Sequence, residues 1–206
     1  MDDKGEEKMG KAANSSISLK QIHVTDNFWN KYVHLVKDVI IPYQWDILND
    51  KLEDVETSHC IENFKIAAGE KEGEFQGAVF QDTDVAKWLE AVGFVLNYER
   101  DEKLEELADE TIELIGRAQQ PDGYLNTYFT IKEPDGRWSN LMEGHELYTA
   151  GHMIEAAVAY YEATGKRRFL EIVSKFADLV CQTFGPEEGK IHGYPGHQEI
   201  ELALVK

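Results

Sequence analysis

Residues 153–161, MIEAAVAYY, and 167–180, RRFLEIVSKFADLV, are neighbouring helical patterns of unlike character. The first is apolar nearly all round, whereas the second confines its apolar residues to one face. A helix without a polar face belongs in an interior and a helix with one belongs at a surface, so the pair reads as an inner and an outer helix of one hairpin.

The same pattern occurs earlier in the chain. From Asp84 the positions Val85, Trp88, Leu89, Val92, Val95 and Leu96 fit one helix, and Leu104, Leu107, Ala108, Ile112, Leu114, Ile115 and Ala118 fit its partner. A shift of 65 residues places Glu90 on Glu155, Leu104 on Phe169, Leu114 on Leu179 and Pro121 on Pro186. The first copy carries an additional loop of 19 residues, NTYFTIKEPDGRWSNLMEG, and a third copy begins at GHQEIELALVK. Repeated hairpins with buried first helices make either a superhelical solenoid or a closed ring, the α/α toroid. The long, varied loops QQPDGYLNTYF and KIHGYPGHQE favour the toroid, where they would line one mouth of the ring. The fold class expected is therefore all-α, with roughly the first half of a six-hairpin barrel in this chain.

Upstream, ISLKQIHV (17–24) alternates apolar and polar residues and predicts a short strand. Asp26 should cap a long helix that breaks or kinks at Pro42, and another helix is expected over about 60–68. Residues 1–16, charged and small without periodicity, predict a disordered tail, leaving 17–206 as the folded part.

The chain has 206 residues, 21 basic against 39 acidic, for a formal net charge of −18. That balance argues against nucleic acid or an anionic membrane as partner, since both would repel it, and leaves a neutral ligand such as a sugar compatible. Neither a secretory leader nor an apolar run of about 20 residues is present, so a cytoplasmic address is expected. Cys60 and Cys181 stand far apart and read as two reduced thiols.

In EGHELYTAGHMIEAA, His145 and His152 are seven positions apart, about 10 Å along a helix, too far to share one metal ion. No HExxH spacing occurs either. His145 and His197 each follow a glycine at the start of an inner helix and should open onto the mouth, whereas His152, two turns deeper, reads as packing. Asp82 and Asp84 fall at another helix start. Capping needs one acid, so a ligand hydroxyl is a reasonable use for the second. Tyr124, Tyr128, Trp138 and Tyr194 lie in the mouth loops, where aromatic faces either stack on sugar rings or anchor the loops.

PYQWDILND, DTDVAKWLEAV, AQQPDGYLNTY, HELYTAGHMIEAAVAYYEATGKRRFLEI and GYPGHQEIELALV closely resemble the N-terminal part of glycoside hydrolase family 127, the β-L-arabinofuranosidase family. The resemblance runs from about Ile17 to the last residue. It implies an α/α toroid followed by β-sandwich domains, and retaining hydrolysis of β-L-arabinofuranosides by a cysteine thiolate held in a zinc site of cysteines and a glutamate. It places the family's substrate-contacting glutamine on Gln44 and its two early histidines on His145 and His197, with Asp82 and Asp84 as further ligand candidates. The catalytic pair and zinc ligands of the family match neither Cys60 nor Cys181. They are expected beyond Lys206, so that this chain alone binds carbohydrate weakly, holds no zinc and does not hydrolyse. Cys181, in an apolar run, is expected to be buried, and the unfinished barrel edge allows self-association. The rival expectations are a sugar epimerase or isomerase on the same toroid, with His145 and His197 moving protons, and a helical-repeat interaction module.

Overall fold

The structure, a computed structural model, describes residues 17–206. The tail expected over residues 1–16 lies outside them.

Helices α1 (Asn27–Leu35) and α2 (Ile41–Leu48) are joined by a π-helical turn, Val36–Ile40. Asp26 caps α1, its carboxylate accepting from Phe28 N at 3.0 Å and Trp29 N at 2.8 Å. The backbone stays right-handed helical through both junctions. Pro42 has no N–H and its ring would collide with the carbonyl four residues back; of the break or kink expected there, the chain shows no break, and the wider π-turn before the proline absorbs the collision. The strand expected over 17–24 is absent: Leu19–Gln21 form a single 3-10 turn. No other strand is present for this segment to pair with among the described residues, where β structure is limited to one isolated bridge between Phe184 and Ile191. Alternation of side chains alone cannot make a ladder.

Next come α3 (Cys60–Ala67), α4 (Asp82–Tyr98), α5 (Glu102–Ala118), the short α6 (Thr127–Ile131), α7 (Glu146–Thr164), α8 (Arg168–Thr183) and α9 (Glu199–Val205). α4 and α7 are the inner helices of two successive hairpins and pack side by side, with α9 against the far side of α7. α5 and α8 pack outside them. Glycine sets the closeness of the inner layer. A Cβ on Gly93 would lie 2.8 Å from the Ala159 carbonyl carbon, and one on Gly151 would lie 2.9 Å from Ile200 N. Main chain therefore meets main chain at both inner crossings. This is the helical-hairpin architecture of the α/α toroid, which the repeat allowed and the long loops favoured.

Trp88, 2% exposed, ties α2 to α4: its indole N–H donates to the Ile41 carbonyl at 3.1 Å and its ring lies 4.5 Å from that of Trp45. Outside, Asp101 caps α5 through Lys103 N and Leu104 N, and the Arg168 guanidinium grips Glu113 with contacts of 2.8 and 3.1 Å. Cys181 is exposed, contrary to expectation, while Cys60 is buried. The apolar face of α8 turns inward through Phe169, Ile172, Val173, Phe176 and Val180, and position 181 falls one step past that face. No helix among the described residues is long and apolar enough to cross a membrane.

Candidate functional site

Three inner helices begin at one end of the barrel sector, and their entry loops carry the candidate residues. His145 immediately precedes α7, His197 lies two residues before α9, and Asp84 is in the first turn of α4. Residues 52 positions apart are thereby brought together: the His145 and His197 rings are 5.2 Å apart, tilted by 39°.

His145 adopts a left-handed backbone, φ 54°, rare for a residue with a side chain. Its Nδ1 is 2.6 Å from the Glu143 carbonyl oxygen. A carbonyl only accepts, so Nδ1 carries the hydrogen, and in that tautomer Nε2 is the acceptor. The ring is braced by Phe80 at 5.1 Å and Tyr148 at 5.7 Å. Because the left-handed conformation costs an L-residue about 1–2 kcal/mol, His145→Gly should be more stable than His145→Ala by about 1 kcal/mol, a comparison urea denaturation of the two variants checks.

Gln44 opens onto a cavity of about 370 Å³ shared with Ser58, Asp84, Lys87 and Trp88. The Gln81 amide donates to Asp84 Oδ2 at 2.8 Å and to Ser58 Oγ at 3.3 Å. Burial pushes the Asp84 carboxyl up from its ordinary range, and Lys87 pulls it back. Lys87 also bonds Thr83 Oγ1 at 3.2 Å and stands over the Tyr148 ring at 5.3 Å. Lys87 lines the Gln44 cavity and reaches the Tyr148 ring that packs on His145 and His197, but neither histidine lines that cavity.

Asp82 is not at this mouth. It is 1% exposed, and its two oxygens accept from Thr127 N at 2.7 Å and Thr127 Oγ1 at 2.5 Å. It pins the start of α6, and burial raises its pKa to about 6. Residues two positions apart on a helix point to nearly opposite sides, so Asp82 faces the interior and Asp84 lines the cavity. Tyr124, fully buried, is likewise an anchor: its hydroxyl donates to Glu146, which also accepts from Trp138 N at 2.7 Å. Burial lifts the Glu146 pKa to about 7 against the pull of these two donors. Trp138 packs on Tyr124 and Phe184, Tyr128 packs on Phe75 and Phe129, and Tyr194 stands 89% exposed. These loop aromatics hold loops or face solvent; the rings against the histidines are Phe80 and Tyr148.

His152 lies deeper. Both ring nitrogens are buried without a hydrogen-bond partner, although Glu199 Oε1 is 3.3 Å from Nδ1, off the line a bond requires. Burial, with Lys87 nearby, depresses its pKa to about 4 and keeps it neutral. The larger apolar groove of about 460 Å³, lined by Trp29, Tyr32, Val36, Phe94 and Tyr98, lacks converging polar groups that would orient a sugar. Among the described residues no three His, Cys, Asp or Glu side chains converge as metal ligands. Cys60 Sγ donates to the Gln81 carbonyl at 3.3 Å, with burial raising its thiol pKa, so it offers no thiolate. The cysteine-rich donor set that the sequence resemblance implies for zinc is not met among the described residues.

The description "Beta-L-arabinofuranosidase, GH127 catalytic domain" matches residues 21–206. The chain belongs to this family. It is 45% identical over 201 residues to a non-reducing end β-L-arabinofuranosidase of Bifidobacterium longum subsp. longum, covering 90% of this chain and 30% of that protein. The crystal structure of a GH127 β-L-arabinofuranosidase from Geobacillus stearothermophilus T6 superposes with a TM-score of 0.88 at 64% identity, over 89% of this chain and 29% of the other. A second GH127 β-arabinofuranosidase structure gives 0.84 at 37% identity, over 92% and 30% of the two chains. The chain spans about a third of the length of these relatives.

Two site residues escaped the sequence reading. Tyr148 is three positions after His145 and four before His152, the spacing that shares a helix face, and Lys87 is three after Asp84. Both spacings were visible, but nothing in them distinguishes a mouth residue from an ordinary surface residue.

Proposed function

We propose that the whole protein hydrolyses β-L-arabinofuranosides with retention, and that residues 17–206 contribute the part of its site that binds the sugar. The observation that carries this reading is the pairing of His145 with His197 at 5.2 Å across two helix entries. With Nδ1 of His145 committed to a carbonyl, Nε2 accepts from a sugar hydroxyl, and Gln44 and Asp84 offer further polar groups around one small ring. The net charge of −18 suits a neutral ligand. The named relatives support the substrate class, and the two free thiols, Cys60 and Cys181, support a cytoplasmic address.

Removing a hydrogen-bonding group aimed at a ligand costs about 1–3 kcal/mol. His145→Ala and His197→Ala in the whole protein should each lower kcat/KM for an aryl β-L-arabinofuranoside by about 10- to 100-fold. Unchanged turnover by variants with intact helical circular dichroism would remove the sugar-binding assignment.

A further inference from the structure

The geometry points to Tyr148 as the positioning residue of this site: we infer that its ring sets the separation and tilt of the His145 and His197 imidazoles, and so governs affinity for a furanose without hydrogen-bonding it. The inference rests on the reading above, in which the two imidazoles bind sugar hydroxyls.

Neither histidine is held by its own helix alone. His145 has one bond, to the Glu143 carbonyl within its own loop, and His197 belongs to a segment in which residues 192–194 and 196–198 are exposed. Tyr148 touches both. Its ring lies 5.7 Å from His145, nearly perpendicular at 80°, and 4.9 Å from His197, tilted by 46°. A third imidazole, His152, abuts the same ring at 4.4 Å and 89°, and Lys87 Nζ stands over it at 5.3 Å. Tyr148, in the first turn of α7, is therefore wedged among His145 and His152 of its own segment, His197 of the α9 entry loop and Lys87 of α4.

Each of these contacts engages the aromatic ring. Edge-to-face pairs and a cation over the ring face each add attraction beyond burial, so several on one ring define a single position for it. The backbone before His197 is held by a hydrogen bond from Gly196 N to the Leu141 carbonyl, but the rings that meet the His197 imidazole are those of Tyr148 and His145, so the imidazole takes its tilt from Tyr148. The hydroxyl plays no part in these contacts, which separates positioning from direct sugar contact by experiment.

The test compares wild type, Tyr148→Phe, Tyr148→Leu, His197→Ala and the Tyr148→Leu/His197→Ala double variant. Histidine side-chain NMR resonances and L-arabinose affinity are measured on the whole protein, with thermal melting as a check on folding. Tyr148→Phe should retain the imidazole resonances of wild type and its affinity within about twofold. Tyr148→Leu should move the resonances of both His145 and His197 and weaken binding about tenfold. In the His197→Ala background the same change should cost little more, since its effect passes through the lost imidazole. Unmoved resonances in a folded Tyr148→Leu would overturn the inference. So would a Tyr148→Phe defect as large as that of Tyr148→Leu, which would make the hydroxyl a direct sugar contact. If wild type and His197→Ala bind sugar equally, the sugar-binding reading fails instead, and the resonances alone still decide whether Tyr148 positions the pair.

Discussion

Gly151→Ala should destabilise the protein by about 3 kcal/mol, the upper end of the range for overpacking, and separate His197 from His145. The added Cβ would stand 2.9 Å from the Glu199 carbonyl carbon and 2.9 Å from Ile200 N, both main-chain atoms that no rotamer change can clear. α9 must move away from α7, and His197, two residues before α9, moves with it. Gly93→Ala meets the same obstacle on α4, with the Ala159 carbonyl carbon at 2.8 Å and Tyr160 N at 2.9 Å. Gly116→Ala is the control. Its Cβ would meet only the side-chain ends of Ile172 and Arg168, which can swing aside, and alanine favours the interior of α5 by about 1 kcal/mol over glycine. Denaturant unfolding of the three variants should therefore show two large losses and one near-neutral or stabilising change. A uniform response would contradict the close inner crossings.

Stability should fall as pH rises from about 4 to about 7. Burial holds Asp82 at about 6 and Glu146 at about 7, both above their ordinary values. A carboxyl whose folded pKa is raised takes up protons more readily in the folded than in the unfolded chain. Its contribution is fully present below the unfolded value and is lost as pH climbs through the folded value. At about 1.4 kcal/mol per unit, shifts of this size correspond to about 3 kcal/mol each. Glu146→Gln, which stays neutral at every pH, should accordingly match wild type at pH 4.5 and exceed it at pH 8. Its amide can take the Trp138 N–H on oxygen while the Tyr124 hydroxyl rotates to accept. Asp82→Asn should flatten the lower part of the profile. Thermal melts from pH 4 to 8 check both, and parallel curves for wild type and variants would contradict the assignment of these two groups.

These outcomes bear on the mouth because Glu146 directly follows His145 and Asp82 pins the loop opposite. Of the candidates named from sequence, Gln44 and Asp84 line one cavity and His145 and His197 pair at the entries of α7 and α9, while Asp82 and Tyr124 are buried anchors. The difference between Asp82 and Asp84 is two positions along a helix. Both read as acids at a helix start, and only the partner 45 residues on, Thr127, distinguishes them. Tyr124 read as a loop aromatic until Glu146 and the Arg137 guanidinium, 3.9 Å over its ring, enclosed it.

What the sequence determined by itself is whatever depends on the period of a helix. Two hairpins, their inner and outer members, the Asp26 cap and the disturbance near Pro42 all follow from apolar spacing, side-chain capping and a missing N–H, which act within a few residues. The tertiary structure alone decided what depends on how helices cross. The contact of His145 with His197 and the wedge of Tyr148 turn on the main-chain contact of α7 with α9 that Gly151 permits, and the burial of Asp82 turns on Thr127, which packing between distant segments brings to it. Periodicity names the face a residue occupies, but the neighbour waiting on that face is set by packing between segments distant in the chain.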